Sequence, residues 1–170
     1  MKLRVYAMCG VAFSGKSTLA RQIAETLSLE LISLDAINHE RGLHGGEGLS
    51  VSQWEATSAI AMERLRRYLD AGRSVVIDDT FSHRFLRDRC KAVAHQYEAM
   101  FTLVFVDTPL EVIRSRRLRN DQVITRDSIR DDVFDAHYAS FQFPAEDEAA
   151  VNVGLEFNVV DWLKAQTETA

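Results

Sequence analysis

The chain has 170 residues, a net charge of −5 at pH 7 and a pI near 5.5. Its length favours one domain over residues 1–170, and its acidic balance argues against a nucleic-acid surface without excluding a local basic cleft. The sequence has no long apolar run, no signal peptide and no C-x-x-C pair around Cys9 or Cys90, which predicts a cytoplasmic protein without a membrane span, disulfide framework or zinc site.

The first motif in the chain is residues 10–17, which read Gly-Val-Ala-Phe-Ser-Gly-Lys-Ser and match the pattern G-x-x-x-x-G-K-[ST] in full. Residues 3–9 are rich in β-formers and predict a buried strand before the motif. Apolar residues at Leu19, Ile23 and Leu27 predict a helix after it. A strand, a glycine-containing loop and a helix are the context in which this pattern binds nucleotide phosphates.

The motif predicts a phosphate site with a defined division of roles. Glycines let the backbone wrap around phosphate oxygens, and free N–H groups at the helix start point at the anion. Lys16 is predicted to contact the β and γ phosphates, and the hydroxyl of Ser17 to hold Mg²⁺. The motif alone is compatible with a kinase, an ATPase, a GTPase or a switch. The residues predicted to contact the nucleotide are Gly10, Val11, Ala12, Phe13, Ser14, Gly15, Lys16, Ser17 and Thr18.

Strand and helix signals alternate along the rest of the chain. Further strands are predicted at residues 29–33, 74–77, 101–106 and, more weakly, 151–157. Helices are predicted at 35–41, from a capping box at 52–55 to Gly72, at 83–96, from a capping box at 108–111 to about 119, at 128–140, and from about 158. The glycine-rich residues 42–48 are either a connector or a lid over a substrate.

Apolar strands that alternate with amphipathic helices predict an α/β fold, in which a five-stranded parallel sheet has helices on both faces. Within the predicted helices, Trp54 is assigned to the core and Pro109 to the first helical position. Phe85, Arg89 and Val93 are spaced a turn apart and form the predicted stripe of the helix at 83–96.

Three carboxylates follow predicted strands, at the sheet edge where ligands of such folds bind. Asp78 and Asp79 come after the third strand and predict a Mg²⁺ ligand beside Ser17, with either aspartate able to fill the role. Asp35 comes after the second strand and is predicted to orient or deprotonate an acceptor hydroxyl in line with the γ-phosphate. The alternative for Asp35 is an N-cap of the short helix that follows.

Four arginines lie between residues 114 and 119, after the fourth strand. Arginines on a lid can neutralise the charge that spreads over the oxygens of a transferring phosphoryl group. Four in six residues cannot share one helix face, so we expect one or two in the site, with Arg114 and Arg117 as the preferred pair. Arg126 and Arg87 are further candidates, and the alternative for the whole run is a solvated helix face.

Taken in chain order, these motifs resemble the small P-loop kinases that include polynucleotide 5′-hydroxyl kinase, zeta toxin and chloramphenicol phosphotransferase. The resemblance runs from Leu3 to about Leu163. It rests on the phosphate loop, Ser-Leu-Asp at 33–35, Val-Val-Ile-Asp-Asp-Thr at 75–80, Arg87, the arginine-rich segment, and the tail Phe-Pro-Ala-Glu-Asp-Glu at 143–148.

The resemblance implies a three-layer P-loop NTPase fold with sheet order 2-3-1-4-5 and an arginine-rich lid near residues 114–130. It also implies ATP as donor, Mg²⁺ as cofactor, transfer of the γ-phosphate to a hydroxyl, Asp35 as the acceptor-side carboxylate and lid arginines as charge stabilisers. The chain departs from the pattern at Ala12-Phe13, where many relatives have Pro-Gly. It departs again at Asn38, where polynucleotide-type relatives often have arginine and where Arg41 is the nearest substitute.

We therefore predict an ATP-dependent kinase that phosphorylates a hydroxyl of a small molecule, such as a nucleoside-like compound, a sugar or an antibiotic. A polynucleotide 5′-hydroxyl kinase is the alternative enzyme, although Asn38 and the acidic pI disfavour it. A nucleotide-gated regulator is the alternative outside enzymes. We expect a monomer or a homodimer that does not contact membranes.

Overall fold

The fold is a single parallel sheet in a computed structural model that describes residues 2–43, 48–123 and 129–168. The described strands are β1 (Arg4–Cys9), β2 (Glu30–Ser33), β3 (Val75–Asp78), β4 (Met100–Val106) and β5 (Val151–Val153). Their spatial order is β2-β3-β1-β4-β5, and every neighbouring pair is parallel. The predicted order 2-3-1-4-5 is confirmed.

Helices connect and cover the strands. Those described are α1 (Lys16–Leu27), α2 (Leu34–Glu40), α3 (Val51–Asp70), α4 (Arg84–Gln96), α5 (Leu110–Gln122), α6 (Asp131–Ser140) and α7 (Val159–Glu168), with a short 3-10 helix at Glu146–Glu148. None of these helices has the length and apolar character needed to cross a bilayer. Residues 44–47 of the predicted glycine-rich segment, and the predicted helix start at Ser128, lie outside the described residues.

The central strand β1 shows why the fold has three layers. All six of its residues are buried, because successive side chains point to opposite faces and both faces are covered. Tyr6 and Met8 pack against Ile23 and other apolar residues of α1 and α7. Val5 and Ala7 pack on the other face, in the core shared with α2 to α6. Helices on both faces leave the carboxyl ends of the strands as the open edge.

Both predicted capping boxes are wrong. The box that starts α3 is formed by Ser50 and Gln53, two residues before the predicted one: the Ser50 hydroxyl accepts from Gln53 N, and Ser50 N donates to the Gln53 amide oxygen at 2.8 Å. Ser52 cannot cap because it is already helical. At α5, Pro109 is the N-cap rather than the first helical residue, and the Thr108 hydroxyl binds elsewhere.

Three further predictions on packing differ from the structure. Trp54 is half-buried rather than core. On α4 Val93 of the predicted stripe is buried, but Phe85 is 63% exposed and the buried face carries Arg87 and Cys90, in keeping with the buried ion pair of Arg87. Strand β5 ends at Val153 instead of residue 157, because the chain turns at the next residue.

Candidate active site

The phosphate loop joins β1 to α1 at the open edge of the sheet, as the sequence predicts. Gly10 and Gly15 have φ values of +147° and +104°, which favour glycine. A Cβ at Gly10 would also lie 2.9 Å from the carbonyl oxygen of Val106, too close for any side chain. The loop therefore takes a tight path that only glycine permits at its start, with backbone groups lying against the strand ends.

Phe13 shows how this loop departs from the Pro-Gly form. Its φ is +65°, a left-handed conformation that is uncommon for a bulky residue and that glycine adopts without strain. Its side chain is almost fully buried in the core that contains Ala12. Burial of the aromatic ring stabilises the loop and offsets the backbone strain.

Two polar side chains of the loop are arranged as phosphate ligands require. Lys16 is buried and its ammonium group donates to the carbonyl oxygen of Val11 at 3.0 Å, so the side chain folds across the loop. The Ser14 hydroxyl is also buried, and it has no hydrogen-bond partner within the described ranges. An unsatisfied buried hydroxyl beside a buried ammonium group fits an anion that accepts from both.

Asp78 ends β3 and interacts with two residues at the start of α1. The Ser17 hydroxyl lies near enough to its carboxylate to affect its ionisation. Burial raises the pKa of Asp78, the contacts with Ser17 and Lys16 lower it, and the negative charge of Asp35 raises it again. These interactions indicate that the side chains of Ser17, Lys16, Asp35 and Asp78 lie close together at the sheet edge. A hydroxyl and a carboxylate in contact are oxygen donors that Mg²⁺ binds together with substrate phosphates and water.

Asp79 occupies a different environment from Asp78. Burial raises the pKa of its carboxyl to about 6, while the nearby backbone N–H groups of Thr80 and Phe81 lower it. Burial, and then the charge of Asp79, raise the pKa of Cys90 on α4. Ser17 therefore interacts with Asp78, whereas Asp79 interacts with the backbone of the turn that follows β3.

Asp35 lies in the first turn of α2 and is exposed at the sheet edge. The N-cap of this helix is Ser33, whose hydroxyl accepts from Ala36 N at 3.3 Å. The N-cap alternative for Asp35 is therefore wrong. Its exposed carboxylate raises the pKa of Asp78, so the two carboxylates lie near each other at this edge of the sheet.

Arg41, which follows Asp35 by six residues, has a structural role between two helices. The Arg41 guanidinium donates to the carbonyl oxygen of Gln53 at 2.8 Å and to the Thr57 hydroxyl. Thr57 in turn donates to the Asn38 amide oxygen at 2.5 Å, and both of these residues are buried. Arg41 thus joins α2 to α3.

Arg116 on α5 contacts the phosphate loop. Its guanidinium donates to the carbonyl oxygens of Phe13 at 3.1 Å and Ser14 at 2.7 Å. The Thr108 hydroxyl donates to the same Ser14 oxygen at 2.8 Å. Sequence reasoning missed both contacts, since it preferred other arginines of the run and assigned Thr108 to a cap. The only available signal was that Arg116 belongs to the cluster.

The two arginines preferred from the sequence take other positions. Arg117 is buried, donates to the carbonyl oxygen of Ile129 at 2.9 Å and to Asp131 at 2.7 Å, and lies 4.3 Å from the ring centre of Phe134. It therefore holds α6 against α5. Arg114 is exposed and lies 3.9 Å from Asp135. Their roles in transfer stay predictions, and Arg126 lies outside the described residues.

Arg87 is a fully buried cation whose hydrogen bonds hold the turn after β3, next to the candidate site. It forms two hydrogen bonds with the Glu148 carboxylate, at 2.5 and 2.8 Å. It also donates to the carbonyl oxygens of Phe81 at 2.8 Å and Gln142 at 2.9 Å. Because Gly10 N donates to the Thr80 oxygen at 3.1 Å, this arginine fixes a turn that borders the phosphate loop.

The sheet order, the phosphate loop and the Ser17–Asp78 contact define the P-loop NTPase fold. The chain belongs to the AAA domain family AAA_33, whose model matches residues 5–144. This match supports the P-loop kinase part of the predicted resemblance. It does not confirm the narrower group that includes polynucleotide 5′-hydroxyl kinase, zeta toxin and chloramphenicol phosphotransferase.

A curated protein of similar sequence is named as a kinase. An adenylyl-sulfate kinase of Lactiplantibacillus plantarum is 33% identical over 113 residues, which cover 65% of this chain and 54% of that protein. The chain thus spans about half the length of this curated relative.

Solved structures of kinases share the fold over nearly the whole chain. A putative kinase from Chloroflexus aurantiacus has a TM-score of 0.79 at 14% identity, with full coverage of both chains. The APS kinase CysC of Mycobacterium tuberculosis, in complex with AMPPNP and APS, has a TM-score of 0.70 at 17% identity and covers 98% of this chain and 96% of its own. A sugar kinase from Janibacter has a TM-score of 0.67 at 22% identity and covers 98% and 93%.

Proposed function

We propose that this protein is an ATP-dependent kinase that transfers the γ-phosphate to a hydroxyl of a small molecule. The observation that carries the proposal is the position of Asp35, an exposed carboxylate at the end of β2 that is coupled to Asp78 beside the phosphate loop. A nucleotide-hydrolysing switch can use such a carboxylate to orient water, and the transfer assay distinguishes that use from acceptance of a substrate proton. A kinase needs one to receive or orient the acceptor proton.

The phosphate loop supplies the donor site. Backbone N–H groups of the loop, the Lys16 ammonium and the Ser14 hydroxyl hold the phosphates of ATP. Ser17 and Asp78 hold Mg²⁺, which neutralises charge on the β and γ phosphates when it is bound. Arg116 keeps the loop in shape through the carbonyls of Phe13 and Ser14.

In the proposed reaction, the phosphoryl group passes from ATP in the phosphate loop to the acceptor beside Asp35. The acceptor oxygen attacks the γ-phosphorus, the bond between that phosphorus and the β–γ bridging oxygen breaks, and ADP leaves. Asp35 takes the proton of the acceptor hydroxyl. We assign Arg114 and Arg117 to neutralising charge on the transferring group, a role that requires both side chains to move from their contacts with α6.

A small acceptor fits the surroundings of Asp35 better than a nucleic acid strand. The position three residues after Asp35 is Asn38, and Arg41 is held between α2 and α3. The chain is acidic overall, whereas strand binding needs a basic groove. Sugar kinase, gluconokinase and APS kinase are among the proteins that share its fold. We further propose that it works in the cytoplasm as a monomer or a homodimer, with residues 114–130 as its lid.

The test is phosphate transfer from γ-labelled ATP with Mg²⁺ against a panel of nucleosides, sugars, antibiotics, adenylyl sulfate and 5′-hydroxyl oligonucleotides. A labelled small molecule supports the proposal and names the acceptor class. A labelled oligonucleotide replaces it with a polynucleotide kinase. Label that appears only as free phosphate with every acceptor contradicts the kinase and favours a nucleotide-hydrolysing regulator.

A further inference from the structure

The side-chain amide of Asn38 is bonded at its oxygen but not, among residues 2–43, 48–123 and 129–168, at its nitrogen. Asn38 lies on α2, three positions after Asp35, and is 2% exposed. Its Nδ2 atom is shielded from solvent as well as unpaired. Buried polar atoms are nearly always paired, so this nitrogen indicates a ligand with an oxygen atom that accepts from it.

The contacts of the amide oxygen determine how the amide is oriented. The Thr57 hydroxyl accepts from the Arg41 guanidinium, and it donates its own proton to Asn38 Oδ1 at 2.5 Å. This distance is typical of a hydrogen bond between two oxygens. The network therefore assigns the oxygen to the Thr57 side of the amide, and the two N–H groups of Nδ2 are donors on the other side.

The Nδ2 atom lies on the same side of α2 as Asp35. Asp35 and Arg41 come three residues before and three residues after Asn38, so they flank it on opposite sides, each about 60° around the helix axis. Because Thr57 binds Arg41 as well as Oδ1, it lies on the Arg41 flank. Nδ2 therefore faces the flank that carries the exposed Asp35 carboxylate.

The register of the sheet places this part of α2 beside the phosphate loop. Ser33, the residue before α2, pairs with Asp78 at the ends of the parallel strands β2 and β3. Asp78 also pairs with Met8, one residue before the end of β1, and the phosphate loop follows β1. The helix that carries Asp35 and Asn38 therefore begins at the same edge of the sheet as the loop.

An uncharged oxygen suits this donor better than an anionic group. The amide is neutral and lies close to the negative charge of Asp35, which repels a phosphate or a carboxylate. The Arg41 guanidinium could attract an anion, but Gln53 and Thr57 hold it between α2 and α3. Side chains three residues apart on a helix have Cβ atoms about 5–6 Å from each other, so Asp35 and Asn38 can bind two oxygens on neighbouring carbons of one small molecule.

We propose that Asn38 Nδ2 donates to a hydroxyl of the acceptor next to the one that is phosphorylated, so that the acceptor is a polyhydroxylated molecule such as a sugar. This inference rests on the proposed function, because it takes Asp35 as the group that receives the acceptor proton. Asn38 is then a specificity residue. An acceptor without the second hydroxyl leaves the buried donor unpaired and is used less well.

The experiment measures phosphate transfer from γ-labelled ATP to two groups of acceptors. D-mannitol, D-gluconate and adenylyl sulfate carry hydroxyls on neighbouring carbons, whereas choline and homoserine do not. An acceptor that becomes labelled is then compared with the deoxy analogue that lacks the hydroxyl next to the phosphorylated one. We expect the kcat/KM of the wild-type protein to favour the full acceptor by about ten- to hundredfold, the effect of one unpaired buried donor.

Two variants of Asn38 remove the amide donor. Asn38→Asp keeps the oxygen that accepts from Thr57, and Asn38→Leu removes the donor without adding a charge. In both variants the preference for the full acceptor should fall below about threefold, because neither substrate then leaves a donor unpaired. Glu40→Gln, at an exposed position of the same helix, is the matched control and should keep the wild-type preference.

The ratio of the two kcat/KM values separates a specificity role from a structural one. Variants that slow both acceptors equally, or that keep the wild-type preference, would overturn the role of Asn38 and leave the kinase intact. Label on choline or homoserine alone would also overturn it, while supporting the proposed function. Label on no acceptor contradicts the kinase and this inference together.

Should the variants not fold, the side-chain ¹⁵N signal of Asn38 in the wild-type protein decides. A shift of this signal with the full acceptor but not with its deoxy analogue supports the contact. The same response to both acceptors contradicts it.

Discussion

The Ser17 side chain interacts with the Asp78 carboxylate and lowers its pKa against the effect of burial, and this interaction separates two adjacent aspartates that the sequence left equivalent. Asp79 instead interacts with the backbone N–H groups of Thr80 and Phe81, which lower its pKa against the larger effect of burial. Only one of the two carboxylates therefore shares an environment with the residue that ends the phosphate-binding motif.

The first prediction concerns Mg²⁺. Asp78→Asn should raise the Mg²⁺ concentration needed for half-maximal activity by about 10- to 100-fold, the usual cost of losing a partner of a metal site. Asp79→Asn should change it less than about threefold, since its carboxylate binds the backbone. Activity measured against Mg²⁺ at saturating ATP checks both variants. Equal effects of the two substitutions would show that the metal is not placed by Asp78.

The second prediction concerns the loop contact of Arg116. Arg116→Ala removes two charge-assisted hydrogen bonds to loop carbonyls, so the KM for ATP should rise about tenfold with a smaller effect on kcat. Arg119→Ala, an exposed arginine of the same helix, is the control and should leave both constants unchanged. If Arg119→Ala raised the KM for ATP as much as Arg116→Ala, the effect would come from the loss of positive charge and not from the contact with the loop.

The third prediction concerns the buried pair of Arg87 and Glu148, whose side chains are 2% and 6% exposed. Glu148→Gln leaves the arginine charge uncompensated and should lower the free energy of unfolding by about 3 kcal/mol at pH 7. Asp147→Asn breaks only an exposed pair with Arg84 and should cost less than about 1 kcal/mol. Urea unfolding measures both values.

The same pair predicts a pH dependence. The hydrogen bonds of Arg87 hold the pKa of Glu148 below its ordinary value of 4.5. The folded state therefore favours the ionised form, and this stabilisation is fully present above about pH 4.5 and is lost as the pH falls through the lower folded pKa. The stability difference between wild type and Glu148→Gln should shrink in that window. If the difference in the free energy of unfolding stayed constant from pH 7 to pH 3, the ionisation of Glu148 would not contribute to stability.

The sheet and the phosphate loop could be predicted because their signals are local. Apolar strands such as 101–106 alternate with helices, and the loop motif has a fixed spacing. The N-cap of α3 could not be predicted. Ser50 precedes Gln53 by three residues and Ser52 precedes Glu55 by three residues, so the local sequence does not decide between the two serines.

Local sequence also could not predict which arginines lie at the candidate site. Helix α5 carries arginines on several faces, so its sequence has no stripe that says which of them meets the loop. Burial of Ile113 and Arg117 fixes the rotation of the helix and brings Arg116 to the Ser14 carbonyl. The partner of Arg87 lies 61 residues away, and local periodicity contains no information about it.

The position of Asp35 gives the most direct test of the kinase account. Asp35→Asn should bind ATP with an affinity within about twofold of wild type and transfer phosphate to the acceptor found in the panel about 10²- to 10⁴-fold more slowly, because the acceptor proton has no base. Glu40→Gln, at the other end of α2 and paired with Arg64, should keep both properties. Transfer by Asp35→Asn at the wild-type rate, with ATP bound normally, would contradict the acceptor site described for this protein.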